Sequence, residues 1–239
     1  FYPYAQVEQY IPSAQTGLQF FGRFFARADL YFDYALTLSN GRGPTDALLD
    51  LDENKALGLR LKLTNQGKNV TVSGGGYGFA VISTDIKKVI VSVDPFTVEK
   101  EKTESYQDYA YAVDAKLELF GVRFQTELVQ RFVLYENDVR PTVEGGYQPS
   151  YATLAYYALL GYTLPLEKWL GTVTITPYFM YQYNDSHDTA RDYTHTYFAG
   201  LNIKPSPFVV LKAEFVQLKF SPDQGTGFRI VLAQMAVSF

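Results

Sequence analysis

The sequence predicts an all-β fold: a transmembrane, antiparallel, up-and-down β-barrel of about twelve strands, one domain over residues 1–239. Three observations lead there. Apolar and polar side chains alternate with a period of two along nearly the whole chain, as in strands that face two different environments. Many alternating segments run about 10 to 14 residues. That is above the ~5–6 of an ordinary soluble strand and close to the ~9–11 needed to cross a bilayer at a tilt. The connections between segments alternate between short and mostly longer, as turns and loops do on the two sides of an outer-membrane barrel.

Composition agrees with this class. Twenty Tyr and 18 Phe make the chain 16% aromatic, and aromatic residues favour strands. No run of apolar residues is long enough for a membrane helix; the richest stretch, ATLAYYALLGYTLPL, is interrupted by Pro165. The absence of cysteine removes disulfides and thiolate metal sites, and a net charge of -4 gives no support for a nucleic-acid partner. No secretory leader precedes FYPYAQVEQY, so a leader is expected to have been removed, or the chain to begin within a larger protein.

In chain order, strands are expected at 1–10, 16–25, 28–40, 54–64, 70–81, 104–119, 121–135, 149–163, 171–183, 192–204, 208–220 and 226–239. The first is the weakest, because Pro3 suits only a strand start or edge. In 28–40 Leu30, Phe32, Tyr34, Leu36 and Leu38 oppose Asp29, Asp33, Thr37 and Ser39. In 54–64 Leu57, Leu59, Leu61 and Leu63 oppose Arg60, Lys62 and Thr64. In 104–119 Tyr109, Tyr111, Val113 and Leu117 oppose Asp108, Asp114, Lys116 and Glu118, and in 121–127 Arg123, Gln125 and Glu127 share a face. Tyr147, Tyr151, Tyr162, Trp169, Tyr178, Tyr181, Tyr183, Tyr193 and Tyr197 gather toward strand ends, as interfacial girdles do. Short connections fall at Ala26–Ala28, Asn65–Asn69, Phe120–Gly121, Leu164–Leu170 (where LEKWL suits a helical turn) and Pro205–Pro207. The intervening ones are Asn40–Glu53, Ile82–Thr103, Glu136–Gln148, Asn184–Arg191 and Ser221–Gly225, and the 22 residues of Ile82–Thr103 are the longest.

The last strand ends GFRIVLAQMAVSF, with Met235, Val237 and Phe239 on one face. Ending on an outward Phe resembles the C-terminal signature of bacterial outer-membrane barrels. The resemblance implies that Phe239 is read by the barrel-insertion machinery and lies at the periplasmic rim, which puts the short turns on the periplasmic side.

The stretch YIPSAQTGLQFFGRFFARADLYFDYALTLSNGRG, followed by ENKALGLRLKL, resembles the phosphate-selective porin O and P family. The matching elements are Thr16-Gly17, Phe21-Gly22, Tyr34-Ala35, Asn40-Gly41 and Asn54-Lys55-Ala56, and KPSPFVVLKAEF with GFRIVLAQMAVSF looks like that family's final hairpin. The resemblance covers roughly 10–64 and 192–239 well and the middle loosely. It implies a bacterial outer-membrane location, contact with outer-membrane lipid and lipopolysaccharide, and a homotrimer or other envelope proteins as partners. Family members usually have about sixteen strands. Either N-terminal strands are missing from this chain, or it is a compact relative of about twelve.

Parity assigns the lumen-facing charges. The basic ones are Arg23, Arg60, Lys62, Lys116, Arg123, Arg131 and Lys212; the acidic ones are Asp29, Asp33, Asp108, Asp114, Glu118, Glu127 and Glu214. The balance of signs argues against a strong phosphate preference. Cross-strand pairing in a wet interior accounts for these charges, and so does a transverse field at a constriction, for which Arg123, Arg131, Asp114 and Glu118 are the choices. The loop 82–103 carries an apolar VIVSV within a charged frame and is expected either to fold inward and narrow the pore or to form an external hairpin that packs on itself or a partner.

Asp50, Asp52 and Glu53 fit no EF-hand spacing and read as solvated acids. Gly74–Gly76 lack the Lys and helix of a phosphate-binding loop, and read as a bulge or bend. His187 and His195, near Asp185, Ser186 and Asp188, match no catalytic arrangement. The expectation is a porin for passive diffusion of small hydrophilic solutes, not an enzyme, with no cofactor and no metal. The alternative is a structural or adhesive barrel with a plugged interior.

Overall fold

A computed structural model of the chain describes residues 17–39, 55–93, 96–135, 150–164, 173–185, 193–206, 208–221 and 225–237, with the backbone alone described at 83–105. Eleven strands follow in chain order: β1 (Gly17–Phe25), β2 (Leu30–Ser39), β3 (Ala56–Gln66), β4 (Val70–Val93), β5 (Phe96–Leu119), β6 (Val122–Tyr135), β7 (Tyr151–Tyr162), β8 (Thr174–Asp185), β9 (Tyr193–Ser206), β10 (Val209–Phe220) and β11 (Phe228–Val237). They form one sheet in the order β1 to β11, every neighbouring pair antiparallel. The chain is therefore all-β and up-and-down, with no helix among the described residues. The segments expected at 1–10 and LEKWL lie outside the described residues.

The alternation decides which way each strand faces. Leu57, Leu59, Leu61 and Leu63 on β3 are exposed, as are Leu36 and Leu38 on β2, Tyr111 and Val113 on β5, Phe124 on β6, Leu160 on β7, Phe179 on β8 and Phe215 on β10. The opposite face is screened. It holds three apolar clusters: Ala112, Val129 and Ala155 with Tyr77; Tyr157, Leu159, Tyr178 and Met180 with Phe198; and Ala56, Phe79 and Val81. A soluble sheet would cover its apolar face and wet its polar one. Here the greasy face is the exposed one.

The sheet is curled. One cavity of about 530 Å³ is lined by Lys68 in the β3–β4 turn, Arg123 on β6, Thr176 on β8 and Asn202 on β9. Residues from the β3–β4 turn to β9 thus converge on one concavity at the short-turn end. The turns themselves are tight. Between β5 and β6, Phe120 and Gly121 both have positive φ, 47° and 86°, the two-residue geometry whose twist matches a hairpin.

Two expectations are overturned. The strands expected to end at 81 and resume at 104 do not stop there: β4 and β5 run on as a continuous ladder from Ile82↔Gln107 to Val93↔Phe96, the hairpin of the two alternatives. In that register Lys88 lies opposite Glu101 and Val91 opposite Val98, so the apolar VIVSV and its charged frame are strand positions. β3 pairs β4 only along Thr71–Ala80 and β6 pairs β5 only along Tyr106–Leu119, so the rest is a two-stranded ribbon projecting past the sheet. Nor do Gly74–Gly76 form a bulge, because their pairing with both β3 and β5 is unbroken. They make room instead: a Cβ on Gly75 would meet the Leu61 carbonyl oxygen at 2.7 Å and Asp114 Oδ2 at 3.0 Å.

Gly121→Ala tests the hairpin geometry. The new Cβ would meet the Thr163 carbonyl oxygen at 2.9 Å in a backbone region L residues avoid. The expected loss is about 1–3 kcal/mol, read from urea unfolding of the refolded protein in detergent.

Candidate functional site

The register runs one unbroken row of paired residues across the screened face: Arg23, Asp33, Lys62, Gly75, Asp114, Glu127, Tyr157, Gln182, Thr196, Leu218 and Phe228. Five of these are among the expected lumen charges. Seven more (Arg60, Lys116, Glu118, Arg123, Arg131, Lys212 and Glu214) lie an even number of positions from row members or their screened neighbours, and so share the face. Asp108 also lies on this face, while Asp29 belongs to the β1–β2 turn. Phe239, Asp50, Asp52, Glu53, Ser186, His187 and Asp188 lie outside the described residues.

The charges are tied into local pairs. Arg23 makes two bonds to the Asp33 carboxylate, Nε to Oδ1 at 2.5 Å and Nη2 to Oδ2 at 3.3 Å, with its guanidinium 4.0 Å from the Tyr31 ring centroid. Lys116 Nζ reaches Glu118 at 2.9 Å, and Arg123 Nε stands 3.9 Å from the same carboxylate. Lys212 Nζ lies 2.8 Å from Glu214 Oε2. Arg131 grips Asp108 bidentately, at 2.7 and 2.9 Å. This last pair is the most enclosed, with the arginine side chain 11% and the aspartate 1% exposed.

The four residues expected to make one constriction separate into different places. Glu118 and Arg123 are cross-strand partners at the turn end, whereas Arg131 pairs with Asp108 near the opposite end. Arg123 and Arg131 are eight residues apart on one strand, roughly 26 Å. Asp114 sits between these levels, directly opposite Glu127. Two carboxylates in that position repel each other. Their neighbours offset it: Tyr77 Oη donates to Glu127 Oε1 at 2.7 Å, and the Arg60 guanidinium lies 5.8 Å from the Tyr77 ring centroid.

Tyrosines are the part of this site that the charge pattern did not find. Tyr77 serves Glu127, Tyr178 donates to the Glu214 carboxylate, and Gln125 Nε2 donates to Tyr157 Oη at 2.7 Å. Strand parity was the available signal, since Tyr77 shares its face with Thr71 and Ser73. Parity also removes Tyr178 and Tyr151 from the expected girdle, because both face the screened side; Tyr147 and Trp169 lie outside the described residues. Tyr181, Tyr183, Tyr193 and Tyr197 do gather on the exposed side, ring against ring: Tyr181–Tyr197 centroids are 5.3 Å apart and Tyr183–Tyr193 6.2 Å. At the short-turn end, Lys68, Arg123, Lys204 and Glu118 line the cavity, a local excess of positive charge.

Comparison of the chain with protein-family models, with curated proteins and with solved structures finds no match.

Arg131→Ala leaves the enclosed Asp108 carboxylate without its bidentate partner. It is expected to destabilise the fold by about 3–5 kcal/mol, more than Arg23→Ala at the exposed pair, where about 0–1 kcal/mol is expected. Denaturant midpoints of the two variants in detergent check the order.

Proposed function

We propose that this chain forms the wall of an outer-membrane β-barrel that admits small hydrophilic solutes by passive diffusion, in line with the porin family its sequence resembles. One observation carries the reading. Among the described residues, 27 of the 34 large exposed apolar side chains lie on one face of the sheet, while thirteen of the fourteen expected lumen charges lie on the other. A soluble monomer rarely exposes an apolar patch beyond a few hundred Å². Lipid tails are the partner that such a surface fits, and a hydrogen-bonded antiparallel wall is one of the two structures that can cross them.

Parity sets what closure would need. β1 and β11 stand ten places apart in an alternating sheet and run in the same direction. An antiparallel ring therefore takes an odd number of further strands between them. The alternating segment 1–10, which immediately precedes β1 in sequence, would supply one.

A second reading has its own support. The three apolar clusters on the screened face are nearly dry, with Met180 0% and Val129 1% exposed. An interior packed in this way suits a structural or adhesive barrel without an open channel.

Planar-bilayer recording separates the two. The porin reading expects discrete conductance steps from purified protein, and Lys62→Glu is expected to move the reversal potential toward cations under a salt gradient. Protein that inserts but never conducts supports the packed barrel. Protein that stays monomeric in buffer without detergent refutes both.

A further inference from the structure

The exposed face of β1 to β7 carries no Asp, Glu, Lys, Arg or His at its described side chains. From β8 to β11 it carries four: Asp185, His195, Lys219 and Arg229. All four lie at the long-loop end. The register brings them together, with Lys219 opposite His195 and Arg229 opposite Gln217, two residues from Lys219. Direct partners stand about 5 Å apart and diagonal ones about 7–8 Å, so Lys219 and Arg229 fall within the width of one lipid headgroup, with His195 beside Lys219.

The surroundings are built of tyrosine. Tyr181 Oη and His195 Nδ1 share a hydrogen bond of 2.8 Å, and the imidazole centroid lies 5.4 Å from both the Tyr183 and Tyr193 rings. Lys219 Nζ stands 5.6 Å from the Tyr197 ring centroid. Asp185, the one acid, is 9% exposed and accepts from Tyr183 Oη at 3.1 Å. Lys219 and Arg229, by contrast, are exposed.

We propose that this patch is a docking site for the phosphorylated headgroup of a lipid in the leaflet on the long-loop side. The inference rests on the barrel reading, which places this face against lipid. Charge complementarity selects the occupant. Lysine and arginine among aromatic rings at a membrane boundary meet an anionic headgroup, and arginine matches a phosphate with two parallel hydrogen bonds. The tyrosine rings bury against the first carbons of the acyl chains while their hydroxyls face the headgroup.

The test uses the full chain in nanodiscs of phosphatidylcholine doped with lipid A or with dephosphorylated lipid A, followed by mild detergent extraction and native mass spectrometry. Retention of lipid A over its dephosphorylated form is expected. Lys219→Ala/Arg229→Ala should lower that retention roughly tenfold or more, and Lys219→Arg/Arg229→Lys should keep it. Because the patch faces away from the screened side, the alanine variant should match the parent in circular dichroism and conductance.

Equal retention of both lipids, or retention untouched by the alanine pair, overturns the proposal. So does displacement of lipid A by millimolar inorganic phosphate, which would mark a free-anion site, or cross-linking of two copies through the patch. Failure to enter any bilayer overturns the barrel reading and this proposal together, and it is distinguished because no lipid then travels with the protein.

Discussion

The backbone ladder is the constraint on which the rest depends. Each strand from β2 to β10 gives its N–H and C=O groups to two neighbours, and β1 and β11 to one, so polar peptide groups inside the sheet are satisfied whatever lies on either side. Only with that settled can one face be left largely apolar. The ladder also fixes registry, and registry fixes facing: a slip of one residue would turn the β3 leucines inward and Arg60 and Lys62 outward. Registry here is regular apart from a single irregularity between Val209 and Leu211, where β10 meets β9.

Much of the fold was legible from period two. Eleven of the expected strands appear, nine of them within a few residues of their expected bounds, because an apolar–polar alternation longer than ten residues has few other solutions. What failed was local. The sequence left VIVSV open between a loop folded into the pore and an external hairpin, because it does not show that Lys88 would lie across from Glu101; that is a long-range fact of the ladder. The glycine triplet read as a bulge or bend because glycine weakens a lone strand, yet here its value is the absent side chain beside Asp114.

The charged face was legible in membership and not in grouping. Parity supplies a face, but which charges meet depends on stagger between strands. Glu118 finds Arg123 at the turn, while Arg131 finds Asp108 far along the same hairpin. The tyrosine hydroxyls went unnoticed for another reason. Tyrosine suits either side of such a wall, and only the register separates Tyr178, which serves Glu214, from Tyr181, which meets His195.

The row that begins at Arg23 has a further consequence. It leaves β1 two residues before its turn end, yet meets β11 at Phe228, the opposite tip of that strand. Around the wall, then, the row climbs like a spiral stair, about 20 Å from first tread to last. If the sheet closes as proposed, a molecule travelling along the axis would meet Arg23 and Asp33 first, the Asp114–Glu127 level midway and a hydroxyl-and-oil stretch at the end. Discrimination along such a path would be spread over depth as successive thresholds, with no one ring of side chains holding the whole gate.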